Sequence, residues 1–189
     1  MSTPHILRVA TLTLLLLPGL ARGSQWAPGD SEYMVVSRFL IAVDAYAVAH
    51  HRLFEPLPEW MMCLPDDTIA RLNALAEVPR EARKAPREGE IFTPDVADLF
   101  RRLLTHRFFD DEYGGGLAAE IEKRAAVAPV RVNEPPTWDI DHAVLLPLFD
   151  GLPVLPEALE YELAGRDLVL VDVPSNLVVD VIRAALPTH

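Results

Sequence analysis

The chain has one cysteine, Cys63, and so can form no internal disulfide, no thiol redox pair and no cysteine-rich zinc site. Its stability has to come from packing. Cys63 lies in Trp60-Met61-Met62-Cys63-Leu64, an apolar setting that suits a buried, inert thiol. Glycine is scarce as well. The three-glycine run Gly114-Gly115-Gly116 is followed by no Lys-Ser or Lys-Thr pair, and no dinucleotide fingerprint occurs, so a phosphate loop and a dinucleotide fold are excluded. No serine elbow or zinc-binding helix motif is present. Basic residues number 17 against 28 acids, a formal charge of −11 that repels nucleic-acid phosphates and anionic membrane surfaces.

Long uninterrupted apolar runs are missing too. The first 23 residues combine Arg8, a compact run from Val9 to Leu17, the breakers Pro18 and Gly19, and the small residues of Ala21-Arg22-Gly23. This is the anatomy of a secretory signal peptide cut after Gly23, and it places the protein in the periplasm or outside the cell. Cleavage removes two arginines and no acid, taking the charge from −11 to −13. Residues 24–189 are then enough for a single acidic domain and too few for two ordinary ones.

The remaining chain is organised around Ser31 to Phe54, which reads as one long helix with apolar residues over most of its circumference. On a helical wheel Ser37, Arg38, Asp44, His51 and Arg52 gather opposite Phe39, Val43, Tyr46 and His50. Its charges interrupt it too often for a membrane span, so the mature chain is expected to have none. A central helix covered on most sides is the expectation, with docking of a protein partner on an exposed face as the alternative. Pro56 and Pro58 end it.

A second helix is expected from Asp66 and Asp67 through Leu75 and Ala76, stopped by Pro79, with a surface loop from Pro79 to Glu90. That loop holds Arg80, Arg83, Lys84 and Arg87, the only locally basic patch and a candidate contact for an anionic partner. Thr93, Pro94 and Asp95 start a third helix whose stripe is Val96, Leu99, Phe100, Leu103 and Leu104. A short helix is expected over 117–126, an extended stretch over Ala128 to Asn133, a turn at Phe149-Asp150-Gly151, and another short helix from Pro156 to Ala164, ended by Gly165.

Leu168 to Val173 and Leu177 to Ile182 form a C-terminal hairpin about the three-residue loop Pro174-Ser175-Asn176, with Asn176 left-handed. That register pairs Val173 with Leu177, Val171 with Val179 and Val169 with Val181, leaving Asp172 and Asp180 on the outer, solvent-facing side. The fold class is therefore α+β: a long central helix, amphipathic cover helices and a small antiparallel sheet that includes the hairpin. An unpaired hairpin edge would accept a strand from a partner.

Function is less sharply written. The absence of a catalytic motif, together with export, acidity and size, points to an envelope protein that binds another protein, as an inhibitor, immunity factor, chaperone or assembly accessory. Its contact residues would be Trp60, Met61 and Trp138, aided by Asp172 and Asp180. The alternative is a small secreted hydrolase in which Asp139, Asp141 and His142 perform acid–base chemistry with help from Asp172 or Asp180. A third reading is a structural component that self-associates through its central helix. Oligomeric state stays open. No metal and no cofactor is implied, since the acids Asp110, Asp111 and Glu112 lack the spacing of a calcium loop.

Overall fold

A computed structural model describes residues 30–55, 68–83, 85–109, 121, 129–137 and 146–187. Its elements are helices α1 (Asp30–Phe54), α2 (Thr68–Ala82), α3 (Pro94–Phe108) and α4 (Leu146–Phe149), followed by strands β1 (Leu159–Ala164), β2 (Asp167–Asp172) and β3 (Leu177–Ile182). The strands form an antiparallel sheet in the order β1-β2-β3, with helices packed over it, so the arrangement is α+β.

One face of the sheet meets α1 and α3. Leu159, Leu163, Leu168, Leu170, Val179 and Ile182 pack there against Phe39 and Val43 of α1 and Val96, Leu99, Phe100 and Leu104 of α3. Phe39 is the hub. Its ring meets Phe100 edge-on at 5.0 Å and stacks with Phe92 at 5.9 Å, and each fully buried ring contributes roughly 2–3 kcal/mol by its removal from water. The other face, with Val169, Val171, Val178, Val181 and Ala164, is closed by Val130 and Val132. Arg183 ties this side together by bonding Asp167 at 2.9 Å, the Val130 carbonyl at 2.7 Å and the Glu88 carboxylate.

Helix α3 begins as its residues dictate. Thr93 occupies the N-cap position, Pro94 opens the helix, and Asp95 supplies negative charge to the first turn. The Thr93 hydroxyl donates to Asp95 rather than to the backbone. That hydrogen bond, with Arg38 nearby, holds the Asp95 carboxyl below its ordinary value.

Three expectations are corrected. Helix α2 does not stop at Pro79 but runs through it to Ala82, and Pro79 is buried, as are Leu75 and Ala76. Burial of the ring offsets the lost backbone donor. Two of the arginines assigned to the following loop fold inward, Arg80 Nε donating to the Asn133 carbonyl and Arg83 Nη1 to the Val179 carbonyl, both at 3.1 Å. They brace the structure instead of forming an anion-binding patch.

The short helix expected over 156–164 is strand β1. Glu157 and Glu160 suggest a helical amino end, yet Leu159, Tyr161 and Leu163 alternate with Glu160 and Glu162 at the period of a strand. Gly165, at φ +61°, is the first residue of the two-residue turn that joins Ala164 to Asp167.

The hairpin is also one residue different at its loop. Asp172 pairs with Leu177, so the loop is the four residues Val173 to Asn176, with Asn176 left-handed at φ +49°. A bulge at Val179 absorbs the extra residue and restores the Val169–Val181 pair. Asp172 and Asp180 share the face of Leu168 and Leu170, as that pairing requires, but this face is the one covered by the helices, and both aspartates are completely buried. They do not solubilise an outer surface.

Candidate functional site

Trp60, Met61, Trp138, Asp139, Asp141 and His142 lie outside the described residues, as do Cys63 and the three-glycine run. Asp172 and Asp180 are described, and each is occupied within the chain. Around Asp180 the backbone curls into a cradle. Its Oδ1 accepts the N–H groups of Gly89 and Val181, and its Oδ2 those of Ile91 and Phe92, all at 2.8 Å. Four donors to one carboxylate offset the cost of burying its charge and pin the loop before α3 onto β3. Both carboxylates are completely buried. Among the described residues no group of three or more His, Cys, Asp or Glu side chains is arranged to hold a metal ion.

Asp172 sits where the hairpin loop meets α1. Tyr46 Oη donates to its Oδ2 at 2.7 Å, and the Ser175 N–H donates to its Oδ1 at 3.0 Å. His50, one turn beyond Tyr46 on α1, places Nε2 3.3 Å from the same Oδ2 and 3.4 Å from Ser175 Oγ. The Phe54 ring stacks on His50 at 4.3 Å, and the Arg83 guanidinium lies 5.7 Å above the Tyr46 ring. Burial, reinforced by the Asp172 charge and hydrogen bond, pushes the Tyr46 hydroxyl far above its ordinary pKa, with Arg83 opposing weakly.

A serine, a histidine and an aspartate in contact invite comparison with a nucleophile triad. The geometry differs in a decisive way, because a triad uses both ring nitrogens: one takes the serine proton while the other is held by the carboxylate. Here a single nitrogen, His50 Nε2, faces both Asp172 and Ser175. If Nε2 carries a proton for Asp172, it has no lone pair to accept one from Ser175. The cluster as arranged is a buried lock between α1 and the hairpin loop. Sequence reasoning placed His50 and Tyr46 beside Phe39 and Val43 on the inner face, which implies a polar partner across the core; naming Asp172 requires the fold.

The opposite face of α1 is open. Tyr33, Met34, Ile41 and Val48 are 63%, 57%, 68% and 50% exposed, so the expectation that packing surrounds most of this helix is corrected to packing on one face. Met34, Arg38, Ile41, Ala45, Val48 and Arg52 form a narrow stripe with alternating spacings of four and three residues. By length and composition alone, Ser31–Phe54 is long and apolar enough to cross a membrane. Its inner face, through Phe39, Val43 and His50, is packed into the core of the sheet domain.

Hollows lined by described residues adjoin the sheet. An apolar groove of about 680 Å³ runs between β1 and the segment 149–155, with Tyr161 Oη donating to the Pro153 carbonyl at 3.1 Å. A smaller one, about 270 Å³, lies between α3 and the turn at Asp150-Gly151. Its cations are engaged, Arg102 with Glu32 at 2.9 Å and Arg107 Nε with the Asp150 carbonyl at 2.8 Å. No protein-family model, no curated protein sequence and no solved structure matches this chain.

Proposed function

We propose that this is an exported protein of the cell envelope that binds another protein, and that it does so by laying the outer face of α1 against a helix of that partner. The observation that carries the reading is the exposed stripe of Met34, Ile41, Ala45 and Val48. Ile41, Ala45 and Val48, spaced four and three residues apart, with Met34 seven residues before Ile41, match the seam of a helix-on-helix contact. Arg38, which pairs with Asp95, stands between Met34 and Ile41, and Arg52, one turn past Val48, favours an acidic residue at the matching end of the partner helix. Export rests on the signal-like segment 1–23.

The test replaces Ile41 and Val48 by glutamate and compares the double variant with the wild-type chain in capture from envelope extract and in sedimentation equilibrium. A stoichiometric partner held by wild type and lost by the variant, at unchanged urea stability, is the expected result. A dimer of the wild-type chain that dissociates on substitution would instead assign the stripe to self-association. Equal capture by both proteins removes α1 from the binding role.

The hydrolytic reading has one observation in its favour, the meeting of His50, Asp172 and Ser175 within 3.4 Å. It needs a rotation of His50 that frees one ring nitrogen for Ser175 and an opening that admits substrate, since Ser175 and Asp172 are fully buried. An ester or peptide substrate turned over by wild type and by neither His50→Ala nor Ser175→Ala, both still folded, would favour it over the binding role.

A further inference from the structure

The hairpin edge, expected as a place for strand addition, is occupied. Along β3 the Asn133 N–H bonds the Val178 carbonyl at 2.8 Å, the Val178 N–H bonds the Glu134 carbonyl at 3.0 Å, and Arg83 takes the Val179 carbonyl. The outer face of α1 is different, and its charges say what kind of helix it can receive. Met34, Arg38, Ile41, Ala45, Val48 and Arg52 run down its centre, and all are exposed. At seven-residue spacing Ser37, Asp44 and His51 follow one flank of this stripe, and Ala42 and Ala49 the other. Arg38 is answered within the chain by Asp95. Asp44 is exposed midway along the polar flank, beside Ile41, Ala45 and Val48.

Two copies of this chain do not match on that face. Laid parallel and in register, they set Arg38 against Arg38 and Arg52 against Arg52 in the seam itself. Laid antiparallel, they match best about a two-fold axis level with Val43, because that register sets Ile41 of each copy on the small Ala45 of the other. The same axis brings the two Asp44 side chains together on one flank, where like charges repel. A shift of one heptad in either direction separates them, but it gives up both central contacts and sets an arginine, Arg52 or Arg38, on Ile41. Each copy also carries a net charge of −11, which opposes association of the two.

We infer that the helix received by α1 belongs to a different chain and carries a lysine or arginine facing Asp44, and that Asp44 is the residue that keeps copies of this protein apart. This rests on the docking face proposed above and adds the chemistry of the partner. The partner helix has an apolar seam with a bulky residue over Ala45, a base opposite Asp44 and an acid opposite Arg52. A base in that place turns the repulsive contact of self-pairing into an attractive one, so a single residue both rejects a copy and selects the partner.

The test needs no knowledge of the partner, because a full chain carrying Asp44→Lys presents such a base. Wild type and this variant, shown by urea unfolding to be equally stable, are followed by sedimentation equilibrium alone and mixed in equal amounts. The mixed dimer should be at least about fivefold tighter than either chain with itself, since each alone sets like charges across the axis. Asp44→Ala, which removes the charge without replacing it, should self-associate more tightly than wild type by about twofold or more. Ile41→Glu in both chains should abolish the mixed dimer. A wild-type chain that self-associates as tightly as Asp44→Ala, or a mixture no tighter than its parts, overturns the role of Asp44 without touching the docking face. A mixed dimer that survives Ile41→Glu places the contact elsewhere and overturns both.

Discussion

At the scale of single residues, the two aspartates of the hairpin do the most for the structure. Asp180 receives four backbone N–H groups, and an amide in its place can accept at only one of its two heavy atoms. Asp180→Asn therefore leaves two of the donors facing an NH2 group, and a loss of about 2–3 kcal/mol is expected, read as a lower urea midpoint at unchanged slope. Tyr46 carries a pH signature. In the folded chain its hydroxyl keeps its proton well past the ordinary value, because burial and Asp172 both disfavour the phenolate. The unfolded chain releases that proton above about pH 10, so it then binds fewer protons than the native state and stability falls as pH rises. Below that pH the contribution is fully present. Tyr46→Phe should lower stability at pH 7 by about 1–2 kcal/mol, through the lost bond to a charged acceptor, and should shrink the drop between pH 7 and 11. The Tyr161 hydroxyl, also raised by burial, contributes in the same direction.

At the scale of elements, α1 is two helices in one, an inner face bound to the core and an outer face that is not. Phe39→Ala should lose about 3–5 kcal/mol, because it removes a ring at the hub of four aromatic side chains. Ile41→Ala, two residues on and 68% exposed, should stay within about 0.5 kcal/mol. Equilibrium unfolding of the two variants checks both. The inner face was legible from spacing alone, since Phe39, Val43, Tyr46 and His50 fall together on a wheel. So were the start of α3, where Thr93, Pro94 and Asp95 act locally, and the left-handed Asn176, which only a few residue types accept. The degree of cover over α1 was not legible, because an apolar side chain reads the same whether its neighbour belongs to this chain or to another. Strand β1 was hidden by acids that suit either a helix start or an edge strand. Asp172 and Asp180 looked like surface residues because their partners, Tyr46 and the 89–92 backbone, lie about 90–130 residues away in sequence, and a bulge at Val179 keeps both on the inner face.

At the scale of the whole molecule, the proposed docking face of α1 rests on removal of apolar surface from water, and salt tests that. Met34, Ile41, Ala45 and Val48 are exposed and apolar, with the exposed charges of Arg38, Asp44 and Arg52 beside them. At about 0.15 M salt the screening length is about 8 Å, and at 1 M about 3 Å, short enough to quench charges not in direct contact. A partner held by the apolar stripe should therefore keep its affinity within about twofold between about 0.05 and 0.5 M salt, read by isothermal titration, and should lose it with Ile41→Glu. An affinity that falls steeply with salt and survives Ile41→Glu would instead assign the contact to the charges beside the stripe.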